Sequence, residues 1–326
     1  MVCYAPISAY QNNATNENGK RPLLFNPAPN TTPLEIPCGQ CIGCRLERSR
    51  QWAVRMEHEA QQYGVENCFV TLTYSDEYLD TLDNPHTLHF KHFQDFMKRL
   101  RKSHRGVYAV DVPYTDSHGI TKTKIGYPIR FYHCGEYGEK YKRPHYHACL
   151  FNFDFPDKIL DSVNELGHRY YQSKILNGLW GHGNTLLSAF SWDTAAYCAR
   201  YVTKKLNGQL AKQKYYAIDS DTGEYFDLAP EYSTMSRRPG IGANWFAKYK
   251  KQVYPRDYVV SNGQKQLPPK YYDRLLDKIA SIELETIKQN RLENMSTEKH
   301  YQNNLCPRLR ARHEVRKAAL KRLKRS

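Results

Sequence analysis

The sequence predicts an α+β domain with an antiparallel central sheet and flanking helices. Three observations carry this expectation. The segment Asn67–Tyr74 is short, β-branched and aromatic, as a strand should be. Residues 129–133 and 145–153 read as two further strands joined by a polar, glycine-containing turn. Segments 87–103 and 192–205 repeat their apolar residues at helical spacing. The order strand, helix, paired strands, helix belongs to α+β rather than alternating α/β architecture.

Taken along the chain, residues 5–36 are rich in Asn, Pro, Thr and Ala and read as a loop or flexible segment. Arg45–Tyr63 is expected to be an amphipathic helix carrying Leu46, Trp52, Ala53, Met56 and Ala60 on its apolar side. The helix over 87–103 presents Leu88, Phe90, Phe93, Phe96, Met97 and Leu100. Residues 106–127 alternate around an Asp-Ser-His-Gly turn and suggest an inserted hairpin. Residues 156–166 and 168–178 are expected to be partly helical, and 184–191 a strand. The helix from Trp192 to Lys205 would be opened by Ser191 or Asp193 and stopped at Asn207-Gly208. Residues 209–270 mix turns with short elements, and from Pro268 the chain turns helical. These features divide it into an N-terminal Cys-rich knuckle (1–50), a main domain (51–250) and a helical, basic C-terminal extension (251–326).

Composition narrows the function. A formal charge of +15 calls for a polyanionic partner, and nucleic acid is the usual one. The 26 tyrosines, against 12 phenylalanines, offer flat faces for base stacking. No run approaches the roughly 18 apolar residues of a membrane helix, and no secretory leader is evident. The nine cysteines therefore suggest a reducing compartment and metal ligation rather than disulfides.

Three clusters carry chemistry. His145 and His147 alternate with Tyr146, so on a strand both imidazoles face one way and could share a divalent ion. Glu136, just before the turn, would be brought beside them by a hairpin, and a carboxylate suits Mg²⁺ or Mn²⁺. Tyr197 and Tyr201 lie four apart on one helix face, with Lys204 three further on. A phenol oxygen can attack phosphorus and hold it covalently, and Lys204 could steady the charge or assist the leaving oxygen. Cys38, Cys41 and Cys44, with Cys3 as a fourth ligand, suit structural zinc more simply than an iron–sulfur centre. Cys68, Cys134, Cys149 and Cys198 read as small buried hydrophobes. The basic run Arg308–Arg325 reads as sequence-independent phosphate contact or as a solvated tail. Arg237, Arg238, Lys248, Lys250 and Lys251 could add to a DNA groove, whereas Trp180, His182 and Trp245 are equally well structural.

Phe69–Tyr74, His145-Tyr146-His147 and Tyr197-x-x-x-Tyr201-x-x-Lys204 occur in that order. Together they resemble the HUH superfamily of replication initiators, relaxases and transposases, in its two-tyrosine branch. Pro37–Arg45, Arg48–Trp52 and Gly135–Gly138 leading to Arg143-Pro144-His145 resemble the initiators of gokushoviruses, in the Microviridae. The resemblance runs from about Cys38 to about Gly242. It implies an HUH endonuclease-like fold, with His145 and His147 as metal ligands and Tyr197 and Tyr201 as alternating nucleophiles. It matches Glu136 less securely, because the third ligand varies. It further implies a rolling-circle nickase and strand-joining enzyme acting on single-stranded and origin DNA in the cytoplasm of a bacterial host. The chain carries no Gly-x-x-x-x-Gly-Lys-Ser/Thr loop, so a host helicase, with a host DNA polymerase, is the expected partner. A relaxase or transposase of the same chemistry, or a non-enzymatic zinc-containing DNA-binding protein, are the alternatives.

Overall fold

The computed structural model describes residues 3–17, 21–64, 66–104, 110–115, 121–126, 129–138, 142–201, 215–218, 222–295 and 297–322. Its strands are β1 (Ile7–Asn12), β2 (Leu23–Leu24), β3 (Thr31–Ile36), β4 (Asn67–Thr73), β5 (Val110–Thr115), β6 (Thr121–Gly126), β7 (Arg130–Tyr137) and β8 (Pro144–Phe151). They continue with β9 (Ile159–Val163), β10 (Arg169–Gln172), β11 (Thr185–Ala189), β12 (Tyr216–Ile218), β13 (Tyr225–Asp227), β14 (Tyr232–Met235), β15 (Val259–Ser261) and β16 (Gln264–Gln266). The described helices are α1 (Ile42–Ala60), α2 (Asp76–Leu79), α3 (Phe90–Ser103), α4 (Lys174–Trp180) and α5 (Trp192–Tyr201). After these come α6 (Ala243–Val253), α7 (Lys270–Asp277), α8 (Ser281–Met295), α9 (Glu298–Asn303) and α10 (Cys306–Arg322). The chain forms two compact units, Gln51–Leu276 and Met1–Arg50 with Asp277–Ser326.

The larger unit is built on a seven-stranded sheet in the order β14-β7-β8-β4-β11-β10-β9, antiparallel throughout. Side-chain alternation splits the central strands between two cores. Val70 and Leu72 of β4 and Tyr146, Ala148 and Leu150 of β8 join Phe93, Phe96, Met97 and Leu100 of α3 on one face. Phe69 of β4 and Cys149 and Phe151 of β8 join Ala53 and Met56 of α1 and Ala195, Cys198 and Ala199 of α5 on the other. The sheet is thus covered on both sides, and this α+β arrangement agrees with the predicted fold class. Cys68, Cys134, Cys149 and Cys198 are all buried.

Three elements depart from expectation. Residues 159–163 and 169–172 are paired strands, not helices, and only Lys174–Trp180 of the second segment is helical. The turn explains the pairing: Asn164 Oδ1 accepts from the amides of Leu166 and His168, and Gly167 takes a φ of 80°. Within 5–36, β1 pairs with β2 and β3 in a small sheet. Pro33 is tolerated there because β3 is an edge strand, where the missing N–H costs little. The expected hairpin in 106–127 is present as the pair β5 and β6. No described helix is long and apolar enough to cross a membrane.

The basic-looking stretch 237–242 serves the core more than a groove. Arg55 donates to Ile241 O at 3.0 Å, and Gly242 N donates to buried Glu59 at 2.7 Å. Arg130 pairs with that same carboxylate and donates to Pro239 O. Trp180 is fully buried, its indole donating to Thr73 O, and Trp245 stacks on His58 at 3.5 Å.

Candidate metal and tyrosine site

The hairpin of β7 and β8 places Glu136 directly opposite His145, with Cys134 opposite His147. Because the side-chain period is two, Glu136, His145 and His147 all emerge on the α5 side of the sheet. Glu136 Oε1 lies 2.9 Å from both His145 Nε2 and His147 Nε2. The carboxylate is 2% exposed. Burial by itself would raise its pKa, but hydrogen bonds and charge attraction from the two imidazoles outweigh that and lower it to about 2. Tyr146, on the opposite face, is buried with its hydroxyl satisfied: it donates to His89 O at 3.0 Å and lies 2.7 Å from Tyr74 Oη.

Each imidazole is steadied through its other nitrogen. His147 Nδ1 lies 2.9 Å from Thr71 Oγ1, on the paired position of β4, and His145 Nδ1 lies 3.1 Å from the carbonyl of Arg143. Phe69 stacks on the His147 ring, with centroids 5.6 Å apart and planes 12° apart. A carbonyl can only accept, so His145 carries its proton on Nδ1 and turns a bare Nε2 toward Glu136. Thr71 Oγ1 can hold His147 in the same tautomer.

This donor set fits a small divalent cation. Ligand atoms about 2.1 Å from one such ion, at right angles, stand about 3.0 Å apart. The two observed separations of 2.9 Å agree with that spacing. Two neutral imidazoles and one carboxylate, each fixed by further hydrogen bonds, are ordinary ligands for a catalytic ion.

Helix α5 brings the tyrosine. Ser191 caps it: Ser191 Oγ accepts from Thr194 N at 3.2 Å, and Thr194 Oγ1 accepts from Ser191 N at 2.9 Å. Ala195, Cys198 and Ala199 face the sheet, and their small side chains let the helix approach closely. Tyr197 Oη consequently lies 3.5 Å from both Glu136 Oε1 and His147 Nε2. The Arg200 guanidinium sits 5.7 Å from the Tyr197 ring centre, a position that favours negative charge on the phenol. Tyr201 is the last described residue of α5, one helical turn beyond Tyr197, and its side chain is not among those described. Lys204 and the Asn207-Gly208 stop lie outside the described residues.

Sequence reasoning therefore named four groups that the fold brings together: Glu136, His145, His147 and Tyr197. It missed Thr71, Phe69, Arg143 and Arg200. Thr71 and Phe69 follow only from the register of β4 against β8. Arg200 has a local signal, its i,i+3 spacing from Tyr197 on the helix. In the other unit, Cys3, Cys38, Cys41 and Cys44 have sulfurs all within 4.8 Å of one another, a second potential metal site.

Residues 67–206 match the family of the replication-associated protein ORF2. That span holds Glu136, both histidines, both tyrosines and Lys204, whereas the four clustered cysteines precede it. The chain is 36% identical over 238 residues to replication-associated protein VP4 of Bdellovibrio phage phiMH2K, covering 73% of this chain and 66% of that protein. It is 35% identical over 251 residues to replication-associated protein ORF2 of Spiroplasma virus 4, covering 74% and 68% respectively. A third relative, replication-associated protein ORF4 of Chlamydia phage 1, is 30% identical over 255 residues, 55% of its own length. No solved structure matches the chain. With a family match across the whole Glu-His-His and tyrosine region, and two thirds of a phage relative covered, this chain belongs to the phage replication-associated protein family.

Proposed function

We propose that the chain is an HUH-type endonuclease that nicks and rejoins single-stranded DNA at a phage origin, starting and ending rolling-circle replication in the bacterial cytoplasm. The observation that supports it best is the convergence of Tyr197 Oη on Glu136 and His147, at 3.5 Å from each. A divalent ion, Mg²⁺ or Mn²⁺, would be held by Glu136, His145 and His147. When bound it would polarise the scissile phosphate and offset its charge.

The remaining roles belong to the chain's own side chains. Tyr197 donates its phenol hydrogen toward Glu136 Oε1, which aims an oxygen lone pair away from the carboxylate and toward an incoming phosphate. An ordinary tyrosine pKa near 10 makes the phenol a weak nucleophile, and Arg200 lowers the cost of charging it. The phenol oxygen bonds to phosphorus, its proton leaves through the hydrogen bond to water, and the bond to the 3′ oxygen breaks. That oxygen takes up a proton and becomes a free 3′-hydroxyl able to prime a polymerase. The 5′ phosphate stays on tyrosine with its ester energy retained, so a later attack by a 3′-hydroxyl rejoins the strand without ATP. Tyr201, on the same helix face, would make the second cut, with Lys204 assisting the leaving oxygen. Host helicase and polymerase would be the working partners.

The test is incubation of the full chain with a 5′- and 3′-labelled single-stranded origin oligonucleotide, with Mn²⁺ or with EDTA. The expected result is a Mn²⁺-dependent product whose new 3′ end a polymerase extends and whose 5′ end is blocked to kinase. Tight binding without cleavage would reject the enzymatic proposal.

A further inference from the structure

The four clustered cysteines lie outside the catalytic proposal and carry a separate one. Cys3 Sγ stands 3.6 Å from Cys38 Sγ and 3.8 Å from Cys41 Sγ. Sulfurs placed about 2.3 Å from one tetrahedral zinc are about 3.8 Å apart, so the spacing is that of a closed tetrathiolate. All nine cysteines of the chain are free thiols here. Backbone amides are aimed at the cluster: Cys38 N donates to Cys3 Sγ at 3.3 Å, Cys41 N to Cys38 Sγ at 3.2 Å and Tyr4 N to Cys41 Sγ at 3.3 Å. Such N–H···S bonds favour sulfur as thiolate. Four thiolates side by side repel strongly unless a cation sits among them.

The last of these amides ties the cluster to the basic helix. Tyr4, fixed by its bond to Cys41, stacks on His313 with ring centroids 5.6 Å apart. The Arg312 guanidinium lies 5.8 Å over the same ring. Both residues belong to α10, the Arg- and Lys-rich helix Cys306–Arg322. We propose that Cys3, Cys38, Cys41 and Cys44 bind one structural zinc ion, and that the loaded site holds Tyr4 as the platform on which the basic helix docks. Zinc loading then governs how this phosphate-attracting helix is presented.

The test uses the full chain. Elemental analysis should find about one zinc per chain in the wild type and in Cys306→Ser, and much less in Cys38→Ser and Cys41→Ser. Because a cysteine variant can misfold, cobalt exchange into the wild type supplies a second readout: thiolate-to-metal charge transfer with tetrahedral visible bands. Hydrogen exchange across 306–322 should rise several-fold on zinc removal. Tyr4→Ala should keep its zinc yet show the same rise. Iron with sulfide, disulfides between these cysteines, or no metal above trace would overturn the site. Exchange across 306–322 that ignores both zinc and Tyr4 would overturn the coupling.

Discussion

Replacing Glu136 by glutamine keeps the shape of the side chain and removes its charge. The buried carboxylate accepts from two imidazoles that lower its pKa from the ordinary 4.5 to about 2, against the opposing pull of burial. That difference corresponds to ~3 kcal/mol in favour of the ionised form in the folded protein. A pKa depressed on folding contributes stability that is complete above the unfolded value and is lost as pH falls through the folded one. Glu136→Gln should therefore be less stable than wild type by up to ~3 kcal/mol at pH 7, on the order of 6–12 °C in Tm. The gap should narrow once pH drops below about 4.5 and close near the folded value. The assay is denaturant unfolding of both proteins in a chelator, at a series of pH values from 7 downward. Added Mn²⁺ should raise the midpoint of wild type and leave the variant nearly unmoved, since binding to the native state stabilises it. Equal stabilities at pH 7, or a gap that does not change with pH, would refute the claim that Glu136 is held ionised between the histidines.

Thr71→Val removes the oxygen that holds His147 Nδ1 at 2.9 Å and should weaken Mn²⁺ binding about 10–100-fold by calorimetry, with Thr71→Ser restoring most of it. Gly135→Ala would set a Cβ 2.7 Å from the Tyr232 ring and 3.1 Å from Leu88, so urea unfolding should show a loss of about 1–3 kcal/mol. Tyr146→Phe strips the hydroxyl that His89 N and His89 O both use. It should cost about 1–3 kcal/mol of stability while leaving Mn²⁺ affinity unchanged, because the residue faces away from the site.

What the sequence disclosed was what short periodicity encodes. Alternation placed His145 and His147 on one face and Tyr146 on the other, and a hairpin brought Glu136 opposite His145. Long-range register is not written locally. Nothing near Thr71 says that it will lie opposite His147, and nothing near Tyr232 says that its strand will edge β7. The strand Ile159–Val163 is exposed along its whole length, so it lacks the apolar alternation that marks a strand, and only its turn gives it away. The Arg237–Gly242 stretch misleads in the other direction: its arginines suggest DNA, whereas its backbone is held by Arg55, Glu59 and Arg130, residues distant in sequence.

The central claim is that a tyrosine of α5 becomes covalently joined to DNA beside the Glu-His-His cluster. The most direct measurement is peptide mass spectrometry of the product trapped with a single-stranded origin oligonucleotide and Mn²⁺, run beside Tyr197→Phe, Tyr201→Phe, the double variant and His147→Ala. The account predicts a 5′-phosphotyrosyl peptide mapping to Tyr197 or Tyr201, lost in the double variant and in His147→Ala though both remain folded. A DNA adduct on any other residue, or one that persists when both tyrosines are phenylalanine, would contradict it.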